Sequence, residues 1–236
     1  MANMFEVVND NNKILIDDNH KNLVLTRVLN KSDLTDEVYF VPPKHSYTFR
    51  LNPGEHVVAI RDSNNSYVAY SGYYTGNDFR TFSISFRDIK GETGATAPAG
   101  AVIYVFGEPS AAASPHLTGL ELYNAAGEVV FSTKYKYMRV LDFIDERGKK
   151  PTKSITGKTL AIAVYSDWLE YSQECGADKT VEVYTYAEYG YLHGQEYGTN
   201  EATGGYVYDI KEGDDDYSYS YESGYVRYMI IDVTGY

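Results

Sequence analysis

Residues 5–29, FEVVNDNNKILIDDNHKNLVLTRVL, and residues 120–144, LELYNAAGEVVFSTKYKYMRVLDFI, are two versions of one stretch. The versions align without a gap, so that Ile14–Ile16 matches Val129–Phe131 and Leu25 matches Val140. The offset between them is close to half of the 236-residue chain. Self-similarity at a fixed spacing is typical of repeated structural units. The sequence therefore predicts an internal duplication that gives two related domains in tandem.

Each version of the stretch predicts a β-hairpin. In the first, the apolar run Phe5–Val8 and the return strand Lys13–Ile16 flank four turn-forming residues, Asn9–Asn12. In the second, the turn ends at Gly127, which suits a backbone with positive φ. The repeated unit is therefore strand, tight turn, strand.

The rest of the chain alternates short apolar runs with turn signals, and no twelve-residue stretch shows helical periodicity. This pattern predicts an all-β fold of two tandem, related, antiparallel β-sandwich domains. The N-terminal domain is placed at residues 1–110, an Ala-, Ser- and Pro-rich linker at 111–118, and a Tyr-rich C-terminal domain at 119–236. Residues 91–100, GETGATAPAG, are interpreted as a mobile loop. The further predicted strands are Glu37–Val41, Tyr47–Leu51, Val57–Arg61, Ser66–Tyr70, Phe82–Arg87, Val102–Phe106, Leu160–Tyr165, Val181–Tyr186, Gly205–Tyr208 and Val226–Val233.

Composition and charge argue against some classes of binding partner. The net charge of −12 opposes binding to phosphate backbones, so we expect no nucleic acid. No apolar run reaches the roughly 18–20 residues that span a bilayer, and we expect no membrane insertion. The first residues lack the basic and apolar regions of a secretory signal, which predicts synthesis in a cytoplasm. The single cysteine, Cys175, excludes an intrachain disulfide and is interpreted as an ordinary thiol.

The C-terminal third is rich in tyrosine, and this is the strongest sign of a binding surface. A tyrosine ring offers a large flat contact area with a polar tip and little side-chain entropy to lose. Tyrosine is also a common strand residue, so ordinary structural use is an equally good interpretation. The candidate residues for contact with a partner protein or a glycan are Tyr206, Tyr208, Tyr217, Tyr219 and Tyr221.

Signals of catalysis and metal binding are weak. Asp214–Asp216 lacks the spacing and distal glutamate of an EF-hand calcium loop and is interpreted as a solvated acidic loop. The five histidines are scattered, and no nucleophile elbow or phosphate-binding glycine loop occurs. A glycosidase would need two carboxyl groups at a separation that the sequence does not define. We expect no enzymatic activity, no cofactor and no metal.

The second hairpin carries a resemblance to a known family. Leu122–Ser132 followed by Tyr135, Arg139 and Val140 resembles small β-rich proteins from the tail modules of bacteriophages. The first hairpin departs from that pattern, with Asn12 in the place of Gly127 and Val24 in the place of Arg139.

This resemblance implies a virion structural protein of the tail tip, baseplate or tail fibre, made in the host cytoplasm. Its partners would be other virion proteins, and homo-oligomers would fit the symmetry of such particles. Two other interpretations stay open. One is a carbohydrate- or receptor-binding module that stacks its tyrosines on a host-surface glycan. The other is a capsid decoration protein present in hundreds of copies.

Overall fold

The computed structural model describes residues 6–8, 14–17, 22–39, 44–75, 80–90, 93–109, 119–124, 126–146, 151–166, 168–175, 180–209, 218–223 and 226–236. All regular structure in these ranges is β-strand, apart from one-turn 3₁₀ elements such as Lys31–Asp33. The all-β, antiparallel fold class predicted from the sequence is confirmed. The strands are β1 (Glu6–Val8), β2 (Ile14–Asp17), β3 (Val24–Asn30), β4 (Thr35–Tyr39), β5 (Lys44–Arg50), β6 (Glu55–Asp62), β7 (Tyr67–Thr75), β8 (Thr81–Arg87), β9 (Thr93–Ala95), β10 (Ala101–Gly107), β11 (Glu121–Tyr123), β12 (Val129–Ser132), β13 (Val140–Glu146), β14 (Lys153–Ser154), β15 (Leu160–Ser166), β16 (Trp168–Cys175), β17 (Thr180–His193), β18 (Glu196–Asp209), β19 (Ser218–Ser223) and β20 (Val226–Asp232).

Two large antiparallel sheets form the body of the molecule. The first has six strands in the order β13-β20-β15-β6-β10-β3. The second has ten strands, whose main path is β14-β18-β17-β7-β8-β5-β4, with β9 beside β8, β16 beside β17, and β19 beside β16. Two separate hairpins, β1–β2 and β11–β12, complete the described structure.

In each large sheet, three strands of the first half are arranged like three strands of the second half, whereas β4, β9, β16 and β19 lie outside this correspondence. In the six-stranded sheet, β3, β10 and β6 from the first half are matched by β13, β20 and β15 from the second. In the ten-stranded sheet, β5, β8 and β7 are matched by β14, β18 and β17. The halves meet where β6 pairs with β15 and β7 pairs with β17, a junction that we call the seam.

One continuous core lies between the two sheets. It contains side chains from both halves, including Ile60 and Ile103 from the first and Ile162 and Ile230 from the second. Large aromatic side chains complete it, and the hydroxyl of buried Tyr70 donates a hydrogen bond to the Ile162 carbonyl at 3.1 Å. Both sheets therefore continue across the seam. The predicted boundaries at residues 110 and 119 stay a prediction, and the linker 111–118 lies outside the described residues.

The opposite face of the six-stranded sheet is buried as well. Alternate residues of its central strands form a second apolar cluster, which explains why these strands read as nearly continuous apolar runs. The aromatic members pack near the end of the chain, where the Phe106 and Tyr236 rings lie 6.3 Å apart. The buried members are Val57, Ala59, Tyr104, Phe106, Ala161, Ala163, Met229, Ile231 and Val233.

The two predicted hairpins form, and Gly127 has a φ of 79° in the turn of the second one, as expected. Residues 91–100 differ from the predicted loop, because Thr93–Ala95 pairs with β8. Gly94 explains this difference. Its φ of 82° and its closeness to Lys44, where an added Cβ would lie 2.7 Å from the lysine Cβ, let the short strand enter the sheet. The strand predicted at Glu37–Val41 instead spans Thr35–Tyr39.

Candidate functional site

Four of the five predicted tyrosines lie on an extension of the ten-stranded sheet that, among the described residues, belongs to the second half of the chain. Strands β16 and β19, with residues 180–188 of β17 and 201–209 of β18, form this extension, which we call the arm. Its strand order is β18-β17-β16-β19, and all neighbours are antiparallel. The matching strands of the first half, β7 and β8, have nine and seven residues, whereas β17 and β18 have fourteen each.

The arm brings the candidate tyrosines into one sheet but onto two different strands. Tyr206 and Tyr208 lie on β18, whereas Tyr219 and Tyr221 lie on β19. Tyr217 lies outside the described residues. Tyr206 and Tyr219 occupy one cross-strand row, connected through the paired positions 183 and 173 of the two strands between them. Three strand spacings of roughly 4.8 Å separate these backbones by about 14 Å. The tyrosines therefore mark both margins of the arm.

A second candidate site lies at the seam, on the same sheet. Strand β7 of the first half presents Tyr67, and β17 of the second half presents Tyr191 and His193. The Tyr67 and Tyr191 rings are stacked, with centroids 5.5 Å apart and planes 21° from parallel. They line a groove of about 470 Å³, which we call the seam groove. Its other lining residues are Ile89, Pro151, Thr152, Glu196, Thr199 and Asn200.

Strand register explains why these side chains converge. Tyr67 pairs with His193, and His193 pairs with Glu196, so the three residues form one cross-strand row. Directly paired residues of an antiparallel sheet project to the same face. A two-residue turn with Gly194 at a φ of 61° closes the β17–β18 hairpin next to this row. The groove therefore contains side chains that are far apart in the sequence.

Tyr191 is held in place from two sides. Its hydroxyl lies 2.8 Å from the Thr152 hydroxyl, within hydrogen-bond distance. Gly198 pairs with Tyr191 across β17 and β18, and a Cβ added to Gly198 would lie 3.2 Å from the tyrosine ring. The missing side chain at Gly198 thus leaves room for the ring.

Tyr67, which lines the groove, has a buried hydroxyl close to the buried hydroxyl of Tyr189. Tyr189 is fully buried, and the Arg87 guanidinium lies over its ring, 4.8 Å from the ring centroid. Burial, together with the neighbouring Tyr189 hydroxyl, raises the pKa of Tyr67, and burial also raises the pKa of Tyr189. Both side chains therefore stay neutral over the physiological range. Their hydroxyls lie near Asn200 but complete no hydrogen bond of standard geometry among the described residues.

An ionic bridge between the sheets fixes the segment that supplies Pro151 and Thr152. The Lys153 ammonium and the Tyr197 hydroxyl donate hydrogen bonds to the same oxygen of Asp142, at 2.8 and 2.9 Å. Burial opposes the charged carboxylate, but these two donors outweigh it and lower the pKa of Asp142. Burial and the same carboxylate raise the pKa of Tyr197 to about 12.

The chemistry available in the groove is stacking and hydrogen bonding. Two aromatic rings, a carboxylate, an amide, an imidazole and two threonine hydroxyls surround it. Within the described ranges, no group of three or more His, Cys, Asp or Glu side chains could hold a metal ion. Asp214–Asp216 lies outside those ranges. The part of the chain described here also contains no helix long and apolar enough to cross a membrane.

Sequence reasoning selected the tyrosines of the arm as candidates but not the residues of the seam groove. Tyr67 and Tyr191 lie 124 positions apart, and no local pattern connects them. One signal was available in the second half: the alternation of Tyr189, Tyr191 and His193 ahead of Gly194 is typical of a strand that enters a tight hairpin. No family model, curated protein or solved structure matches the chain. Function is therefore inferred from its residues and their geometry.

Proposed function

We propose that this chain is a non-enzymatic structural protein of a bacteriophage particle, located at the tail tip, baseplate or tail fibre. In this proposal the second half contacts a neighbouring virion protein or the host surface through the arm. The observation that carries the proposal is the arm itself, a four-stranded extension with candidate tyrosines on both of its outer strands. The resemblance of Leu122–Ser132 to phage tail proteins is the reason for proposing a bacteriophage particle.

The remainder of the fold can hold the arm in a fixed position, which supports the proposed contact role. The core continues across the seam, and the two large sheets pack against each other around it. The arm extends β17 and β18 outward from this packed part of the molecule. Preorganised contact surfaces lose less entropy on binding than flexible ones. An extension of a buried sheet can therefore present a contact surface in a defined orientation.

Immunogold electron microscopy of purified particles tests the location. Antibody against this chain is expected to label the tail end of the particle. Label spread over the capsid would instead support the capsid decoration alternative, and absence of label would refute the virion proposal.

Substitutions in the arm test the contact surface. The double variant Y219S/Y221S is expected to reduce either incorporation into particles or adsorption to the host, because it removes two aromatic contact residues. The variant Y123S is a matched control, since Tyr123 is exposed on the separate β11–β12 hairpin. Equal incorporation and adsorption of all three proteins would contradict a role for β19 in the contact.

A carbohydrate- or receptor-binding module is the second candidate. The specific observation in its favour is the stacked pair Tyr67 and Tyr191 in the seam groove. The two candidates are compatible, because a particle protein can also bind a host glycan. They make separate predictions, one about location and the other about ligand binding.

A further inference from the structure

We infer that the seam groove is a binding site for a neutral carbohydrate, at a position separate from the tyrosines of the arm. The groove volume of about 470 Å³ falls within the range of roughly 300–1,000 Å³ that is usual for small-ligand sites. The inference extends the proposed function and does not depend on where the chain is located in a particle.

The aromatic wall suits the faces of sugar rings. A pyranose has a face of C–H groups, which carry partial positive charge and pack against the negative face of an aromatic ring. Tyr67 and Tyr191 are each half-buried and stacked on one another, so their rings are already ordered. A ligand that packs against this pair would therefore cost little additional side-chain entropy.

The polar groups of the groove suit sugar hydroxyls. The Glu196 carboxylate accepts hydrogen bonds, the Asn200 amide both donates and accepts, and the Thr152 hydroxyl does both as well. Adjacent hydroxyls of a sugar ring also donate and accept, so each can pair with one of these groups.

Charge favours a neutral ligand. Glu196 is exposed at the groove, and the whole chain carries a net charge of −12. An anionic sugar such as a sialic acid would be repelled by this surface. Lys and Arg are missing from the groove lining in the described part of the chain, so a phosphorylated ligand has no cationic partner there.

The seam groove is shared by both halves of the chain. Val68 pairs with Leu192, and this pairing places Tyr67 of the first half beside Tyr191 of the second. Neither half alone would contain the stacked pair. The inferred site is thus a property of the assembled sandwich, in the way that pockets often lie where structural units meet.

The full chain should be tested on an array of neutral and acidic oligosaccharides, followed by titration with the neutral sugar that gives the strongest signal. We expect binding to neutral glycans with at least a tenfold loss of affinity in Y191A and in N200A. The control Y123A should bind like the unmodified chain. Circular dichroism should show that the variants keep their fold. The variant E196Q conserves the shape of the side chain and should show a weaker but measurable loss of glycan affinity.

Several results would overturn the inference. They are binding only to sialylated or phosphorylated sugars, absence of all glycan binding, or unchanged affinity in correctly folded Y191A. Binding to proline-rich peptides without glycan binding would assign the stacked tyrosines to a peptide site instead. None of these results bears on immunogold labelling, so failure of this inference and failure of the proposed virion location are distinguishable.

Discussion

Ile60 and Ile162 pair directly across the seam, where the six-stranded sheet passes from the first half of the chain to the second. Both side chains are fully buried in the core between the two sheets. The pair therefore belongs to the hydrogen-bonded framework and to the apolar core at once, and it couples the halves through both.

Truncation of this pair should destabilise both halves together. I162A removes a buried side chain whose loss costs about 2–5 kcal/mol in comparable cores. Hydrogen exchange measured by mass spectrometry should show faster exchange in β6 and β10 as well as in β15 and β20. V28A is the control, because Val28 is exposed on β3. Faster exchange confined to the second half would show that the halves are stable independently.

Glu55 should make stability depend on acid pH. Burial opposes its charge, but Arg27, Asn52 and Thr26 donate hydrogen bonds to it and lower its pKa. A lowered folded pKa means that the stabilisation is complete above the ordinary glutamate value of about 4.3 and is lost as pH falls through the folded value.

E55Q should therefore have a free energy of unfolding about 2 kcal/mol lower than the unmodified chain at pH 7. It should also lose less stability between pH 7 and pH 3. Urea denaturation at several pH values measures both effects. The control is E37Q, since Glu37 is exposed on β4. If the two variants show the same pH profile, the Glu55–Arg27 pair does not determine acid stability.

The bridge between Tyr197 and Asp142 should respond to removal of one hydroxyl. Y197F deletes a donor to the carboxylate, so the pKa of Asp142 should rise towards its ordinary value. The Lys153 ammonium still pairs with Asp142, and we expect a loss of stability of about 1–3 kcal/mol. A ¹³C-detected NMR titration of the carboxyl group measures the pKa directly. An unchanged titration curve would contradict the hydrogen bond.

The same bridge has an alkaline signature. The pKa of Tyr197 is raised to about 12, above the ordinary tyrosine value of roughly 10. A raised folded pKa means that its contribution is complete below pH 10 and is lost as pH rises towards 12. Thermal unfolding should therefore show a steeper loss of stability over this interval for the unmodified chain than for Y197F. Parallel curves for the two proteins would argue against this contribution.

Gly190 should be intolerant of a side chain. A Cβ at this position would lie 2.6 Å from the ring of buried Tyr228, closer than atoms pack in a folded core. G190A should lower the free energy of unfolding by about 1–3 kcal/mol. Chemical denaturation measures the loss. In a Y228L background, G190A should lower the free energy of unfolding by less than it does in the unmodified chain, because the clashing ring is absent. Additive effects would show that the two positions do not contact each other.

Local patterns predicted many of the strands, although not β3, β9, β13, β14 or β16, and they did not predict the way in which the strands combine. The apolar runs at Val57–Arg61 and Leu160–Tyr165 predicted β6 and β15, because buried strands favour β-branched and other apolar residues. Their shared edge was not predictable, since alternation determines which residues face a core and not which strand lies alongside. The Tyr67–Tyr191 stack depends on that pairing, so the seam groove was not predictable either.

The corresponding strands of the two halves and the arm have a consequence for the proposed attachment. A homodimer of two identical halves would carry two identical contact elements, related by its twofold axis. Here the corresponding strands belong to one chain, and within the described ranges only the second half carries the extension. Under the proposed function, each molecule therefore has a single attachment element and a defined polarity. Such a molecule can occupy a position that has no twofold symmetry of its own.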